Sequence, residues 1–229
     1  MKKKIFIVAL VVCIMAISIA SASMAYFTDT ESATNTFTAG NVEIQLTEIN
    51  ASNAKQTIDD VATTIDYGTL YPGKSVEKDP TIVVTGSEKA YLGAIITIEN
   101  TAGDGKIGSM LVDVDNNADD KVVAIDTFLS GLVSTDATVK YVPIKDGDVT
   151  TGWTVYIIMT QKYSNVDGNN SVKLFDNVIV PDSWDNDEMA HCKNLSISVK
   201  AYAVQTAGFA TADAAFQAAF GTEFESYFA

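Results

Sequence analysis

An all-β fold, an antiparallel β-sandwich of jelly-roll type with short helical insertions and a C-terminal helix, is what the sequence predicts. Three observations carry that expectation. Apolar residues recur with a period of two in several separate runs, turn dipeptides punctuate the intervals, and helical spacing is confined to a few short stretches. No repeat of fixed period and no Pro- or Ser-rich linker divides the chain, so one sandwich domain is expected over residues 41–229.

The 229 residues begin with an address. Lys2, Lys3 and Lys4 form a positive region, Ile5 to Ala20 is apolar apart from Ser18, and Ser23-Met24-Ala25 places small residues at the −3 and −1 positions of a signal-peptidase site. The expected cut lies before Tyr26, making residues 1–25 a signal peptide whose apolar core is shorter than the ~20 residues of a spanning helix. Membrane contact is therefore expected only through this leader, before cleavage. Cys13 leaves with it, and Cys192 alone allows no internal disulfide.

Next in order, Asn41 to Thr47 alternates Val42, Ile44 and Leu46 with polar neighbours, the pattern of a half-buried strand. Thr81 to Thr85, Ala90 to Glu99, Thr138 to Ile144, Trp153 to Thr160, Val172 to Val180 and Leu195 to Val204 complete seven expected strands. Asp146-Gly147 sits between two of them as a hairpin turn, while Pro72-Gly73 and Pro181 mark strand entries or exits. From Asn117 as cap, the spacing of Val122, Ile125, Phe128, Leu129 and Leu132 predicts a helix. Ser183 is expected to cap a short acidic helix closed by His191, and Thr211 to Phe220 reads as the C-terminal helix. The aromatic tail Phe224 to Phe228 is expected to cover an open end of the sandwich.

Composition removes whole classes of function. The chain carries 15 Lys and no Arg against 29 acidic residues, a net charge of −14 that becomes −17 once three lysines leave with the leader. Nucleic-acid binding needs clustered cations and is excluded as an expectation. One His, His191, cannot build a zinc-protease site of two His on one helix face. His191 and Cys192 are adjacent and so do not face each other on a helix, and Ser183 lacks the Gly-x-Ser-x-Gly turn of a hydrolase nucleophile. No catalytic residues and no cofactor are expected. Calcium is the one metal candidate, because Asp113, Asp115, Asn117 and Asp119 alternate as calcium-loop ligands do, although Ala118 and Ala124 stand where such a loop needs Gly and Glu.

Around the cut the chain resembles a known family. Ala25, Tyr26, Phe27 and Asp29, then Phe37, Ala39 and Gly40, together with Leu70-Tyr-Pro-Gly73 and the closing run Leu195 to Gln205, are similar to the camelysin/TasA family of exported bacterial proteins. The resemblance covers the two ends and one internal turn; residues 101–170 are not diagnostic. It implies a dedicated signal peptidase as processing partner, a jelly-roll fold, and a secreted protein of the extracellular matrix or cell surface. In fibre-forming members the freed N-terminal segment adds a strand to the next subunit. Transferred to this chain, residues 26–40 become the processing and donor segment, with Tyr26, Phe27 and Phe37 as its anchors, and the partner is a second copy in a head-to-tail homopolymer. Residue chemistry alone favours this segment as the first strand of its own sandwich or a frayed terminus, which implies a monomeric cell-surface or adhesion module, and it is the resemblance that brings the donor-strand reading level with it. A camelysin-like metalloendopeptidase is the third reading, against which the missing His ligands stand.

Overall fold

The computed structural model of the chain describes residues 28–31, 42–49, 55–57, 69–100, 106–113, 121–192 and 195–229. The signal-peptide expectation therefore lies outside the described residues, as does nearly all of the segment between the cut and Asn41.

Antiparallel β-structure dominates, as alternation predicts. The largest sheet has five strands in the spatial order β1 (Thr28–Glu31), β14 (Leu195–Gln205), β6 (Ala90–Asn100), β11 (Val149–Met159) and β10 (Ala137–Asp146). A four-stranded sheet follows the order β12 (Ser171–Lys173), β5 (Thr81–Val84), β2 (Ile44–Ile49) and β3 (Lys55–Thr57). Three short strands, β4 (Ser75–Glu77), β13 (Asn177–Ile179) and β9 (Leu129–Ser130), form a third sheet. The one parallel pair among the described residues joins β7 (Leu111–Val112) to β8 (Val123–Ala124).

Burial follows from which face each residue takes. Leu92, Ala94, Ile96 and Ile98 of β6, Val155 and Ile157 of β11, and Ala201 and Ala203 of β14 share one face of the large sheet. They pack with Ile44, Leu46, Ile82, Val84 and Val178 from the smaller sheets into one buried cluster. The opposite face is covered too. Tyr91, Tyr156, Ile158, Tyr202 and Val204 lie beneath two C-terminal helices, α4 (Ala212–Phe220) and α5 (Glu225–Phe228). Thr211 caps α4 by accepting the Ala214 N–H at 3.2 Å, and Phe216, Phe220 and Phe224 fill the interface, with Phe216 and Phe224 edge-on at 5.1 Å. Cover on both faces explains why β6 is almost continuously apolar instead of alternating.

Several expectations hold, and several need correction. The Asp146-Gly147 hairpin is present, with Gly147 at φ 59°, as is the Pro72-Gly73 turn, closed by the Lys74 N–H on the Tyr71 carbonyl at 3.0 Å. Of the helix expected from Asn117 to Leu132, the cap lies outside the described residues and the described part is instead β8, one helical turn α2 (Ile125–Phe128) and β9, because tertiary pairing of β9 with β13 overrides the apolar spacing. Residues 172–180 form not one strand but β12 and β13, in different sheets, separated by the buried pair Leu174 and Phe175. The acidic helix, α3 (Asn186–His191), is capped by Asp185 and not by Ser183: Asp185 accepts the Asp187 N–H at 2.9 Å and Glu188 accepts the Asp185 N–H at 2.9 Å, a reciprocal box. The aromatic tail covers the outer face of the large sheet and not an open end. A further turn, α1 (Ile107–Met110), has no counterpart in the expectation. It seats Gly108 against β11, and the Trp153 indole N–H donates to the Gly108 carbonyl at 2.8 Å.

Candidate functional site

The expected assembly segment touches the described fold at β1. Its four residues pair antiparallel with β14, Thr28 opposite Val204 and Glu31 opposite Ala201, at the edge of the five-stranded sheet. Beyond Glu31, β14 continues for six residues, Leu195 to Lys200, whose other side is fully paired with β6. Directly opposite residues share a sheet face. Thr28 and Thr30 thus stand at register positions opposite Val204 and Tyr202, and Asp29 and Glu31 opposite Ala203 and Ala201. No large apolar residue occurs in Thr-Asp-Thr-Glu. At the end of β14, Gln205 is buried and its side-chain oxygen has no hydrogen-bond partner.

Of the residues singled out from sequence, Ser23, Ala25, Tyr26, Phe27 and Phe37 lie outside the described residues. So do Asp115, Asn117 and Asp119; Asp113 is exposed just after β7. Among the described residues no group of three or more His, Cys, Asp or Glu side chains is placed to hold a metal ion, and no helix is long and apolar enough to cross a membrane.

The residues weighed for catalysis have structural placements. His191 ends α3, half-buried, with its carbonyl accepting the Asn100 amide at 2.8 Å. Cys192 is buried, and desolvation pushes its thiol up to about 11, with Glu188 adding to the rise; a thiol so placed is a weak nucleophile. Glu188 is engaged by the α3 cap and by Lys121, whose ammonium also meets Asp185 and the Ser183 carbonyl. Those contacts raise the Lys121 pKa, chiefly through Asp185 and then Glu188, and the Asp187 N–H and Lys121 lower that of Asp185. Ser183 is thus tied through its carbonyl to Lys121, whose own carbonyl accepts the indole N–H of buried Trp184 at 2.9 Å.

Two features were not visible in the sequence. Glu48 and Lys78 stand at core-facing positions of β2 and just after β4, two residues beyond buried Leu46 and Val76, and form a buried ion pair. Pro143 sits in β10, on the far edge of the large sheet. Its position in a β-run was readable, but its meaning depends on the register. No protein-family model, curated protein or solved structure matches this chain.

Proposed function

We propose that this chain is a secreted structural subunit of an extracellular fibre or matrix, a jelly-roll-like sandwich that assembles head to tail by exchanging its N-terminal strand. The observation that carries the reading is the mismatch at the sheet edge. Among the described residues, the eleven-residue strand β14 is paired on its outer edge by the four residues of β1, Thr-Asp-Thr-Glu, a stretch that contains no large apolar residue. Main-chain hydrogen bonds contribute about 0.5–1.5 kcal/mol each, so the four described pairs by themselves hold β1 only loosely and leave it exchangeable for a longer strand. Counting along the same register, a strand of residues 27–37 supplied by another copy matches β14 end to end, with Phe27 opposite Gln205 and Phe37 opposite Leu195. Such a contact does not close on itself and propagates as a filament, and the acidic charge opposes it at low salt. Catalysis forms no part of this reading, and neither does a cofactor.

Electron microscopy and sedimentation of the chain beginning at Tyr26, beside a chain lacking residues 26–39, test the proposal. Filaments from the first that quicken with salt, and a folded monomer from the second, are expected; filaments from both would refute strand exchange. The second reading, a monomeric surface module, is favoured by one observation, that β1 pairs with β14 of its own chain. It predicts monomers in both preparations.

A further inference from the structure

The far edge of the large sheet is nearly as long as the β14 edge and is formed by β10, whose ten residues, among the described residues, pair with β11 on one side and with no strand on the other. Unpaired edges of that length template association. The hydrogen-bond phase of β10 can be read directly. The Thr160 N–H donates to the Asp136 carbonyl at 2.7 Å, and the register continues unbroken from Ala137 opposite Met159 to Ile144 opposite Gly152. In an antiparallel ladder hydrogen-bonded pairs alternate, so even-numbered residues of β10 bond to β11 and residues 137, 139, 141 and 143 turn their main-chain groups outward. The last of these is Pro143, which has no N–H to offer. Immediately beyond it the register shifts, because Thr151 is an extra residue in β11 between the partners of Ile144 and Lys145, and its hydroxyl donates to the Ile144 carbonyl at 3.3 Å. On the outer face, the Lys140 ammonium donates to the carbonyls of Tyr227 and Ala229, at 3.0 and 3.2 Å, and ties α5 to β10.

We infer that Pro143, with the bulge after it and the Lys140 tether to α5, closes the β10 edge to strand addition, so that the sheet accepts a strand from another copy at the β14 edge alone. The inference deepens the strand-exchange reading and rests on it for its purpose: a subunit with two receptive edges would branch and cross-link, whereas one closed edge keeps growth linear. Pro143 costs the fold nothing in ladder bonds, since its nitrogen faces away from β11.

The test is Pro143→Thr in the otherwise unchanged chain, with Pro143→Ala beside it to separate the restored N–H from β-branching. Sedimentation gives the association state, and amide hydrogen exchange reads Val139 and Tyr141. Both variants are expected to self-associate about tenfold more tightly than the parent, with slowed exchange at Val139 and Tyr141, because one further main-chain bond is restored. In the parent those two amides exchange at open-edge rates, in monomer and filament alike. Variants that associate no more than the parent, or that associate without protection at β10, overturn the inference. So does protection of Val139 and Tyr141 in the parent itself, a measurement that stands even if a variant misfolds. Loss of filaments on trimming residues 26–39 reads the other edge, so the two ideas fail separately.

Discussion

Replacing Gly93 with alanine measures how closely the aromatic cap is fitted to the sheet. Gly93 lies in β6 on the outer face, opposite Tyr202 and Ile158, and a methyl there would stand 2.6 Å from Cε1 and Cζ of Phe216 and 3.0 Å from the Ile157 carbonyl oxygen. Phe216 cannot swing aside, because Phe220 and Phe224 pack against it at 5.8 and 5.1 Å. Overpacking of this kind costs about 1–3 kcal/mol. The lost freedom of the unfolded chain returns about 0.4–1 kcal/mol. The net expectation is a loss of about 1–2 kcal/mol, a factor of roughly 5–30 in the folded-to-unfolded ratio. Urea unfolding followed by near-ultraviolet circular dichroism gives the value, and hydrogen exchange across α4 locates it. Adding Phe216→Leu removes the ring carbons that the methyl strikes, so the double variant should be less destabilised than the sum of the singles by about 1 kcal/mol. A Gly93→Ala change within about 0.5 kcal/mol of the parent, or strict additivity, would refute the close fit.

Three further outcomes follow from the same geometry. Lys78→Met breaks the buried pair with Glu48 and should cost up to about 3–5 kcal/mol, part of it recovered by adding Glu48→Leu, as read by thermal and urea unfolding. Cys192 should resist alkylation in the folded chain at pH 8 and react on unfolding. Since burial raises its pKa from 9.0 to about 11, its contribution to stability is present below pH 9.0 and is lost as pH climbs through about 11, a dependence that Cys192→Ala should abolish. Asp185 has a lowered pKa, so its cap and its pairing with Lys121 stabilise above pH 3.8 and fade as pH falls further; Trp184 emission against pH should show this step and Asp185→Asn should remove it.

The long strands were legible in the sequence because each is bounded by a turn residue and needs no knowledge of its partner. The Asp146-Gly147 hairpin is the clearest case. The run around Val122, Ile125 and Phe128 was not, since apolar residues three or four apart fit one helix face or a series of very short strands equally well, and only the β9 to β13 pairing decides between them. Glu48 and Lys78 were unreadable because each looks solvated in its own segment; only the fold brings them together. For the candidate site, the presence of an N-terminal β-segment was legible. That it meets β14 over four residues, and that Pro143 faces outward at the opposite edge, are properties of register, which local pattern does not contain.

The place of β14 in the large sheet governs the order in which the chain can become structured. It is the last strand in sequence, yet it stands between β1, near the beginning, and β6, about a hundred residues before it. β6, β11 and β10 can pair once Met159 has been made, but β1 and the other side of β6 gain β14 only when synthesis has passed Gln205. Closing such distant pairs is slow. A nascent chain therefore completes the five-stranded sheet, and ties its N-terminal strand into it, only near the end of its elongation. The helices of the cap come later still, because the surface that they bury on is made by β6, β11 and β14 together.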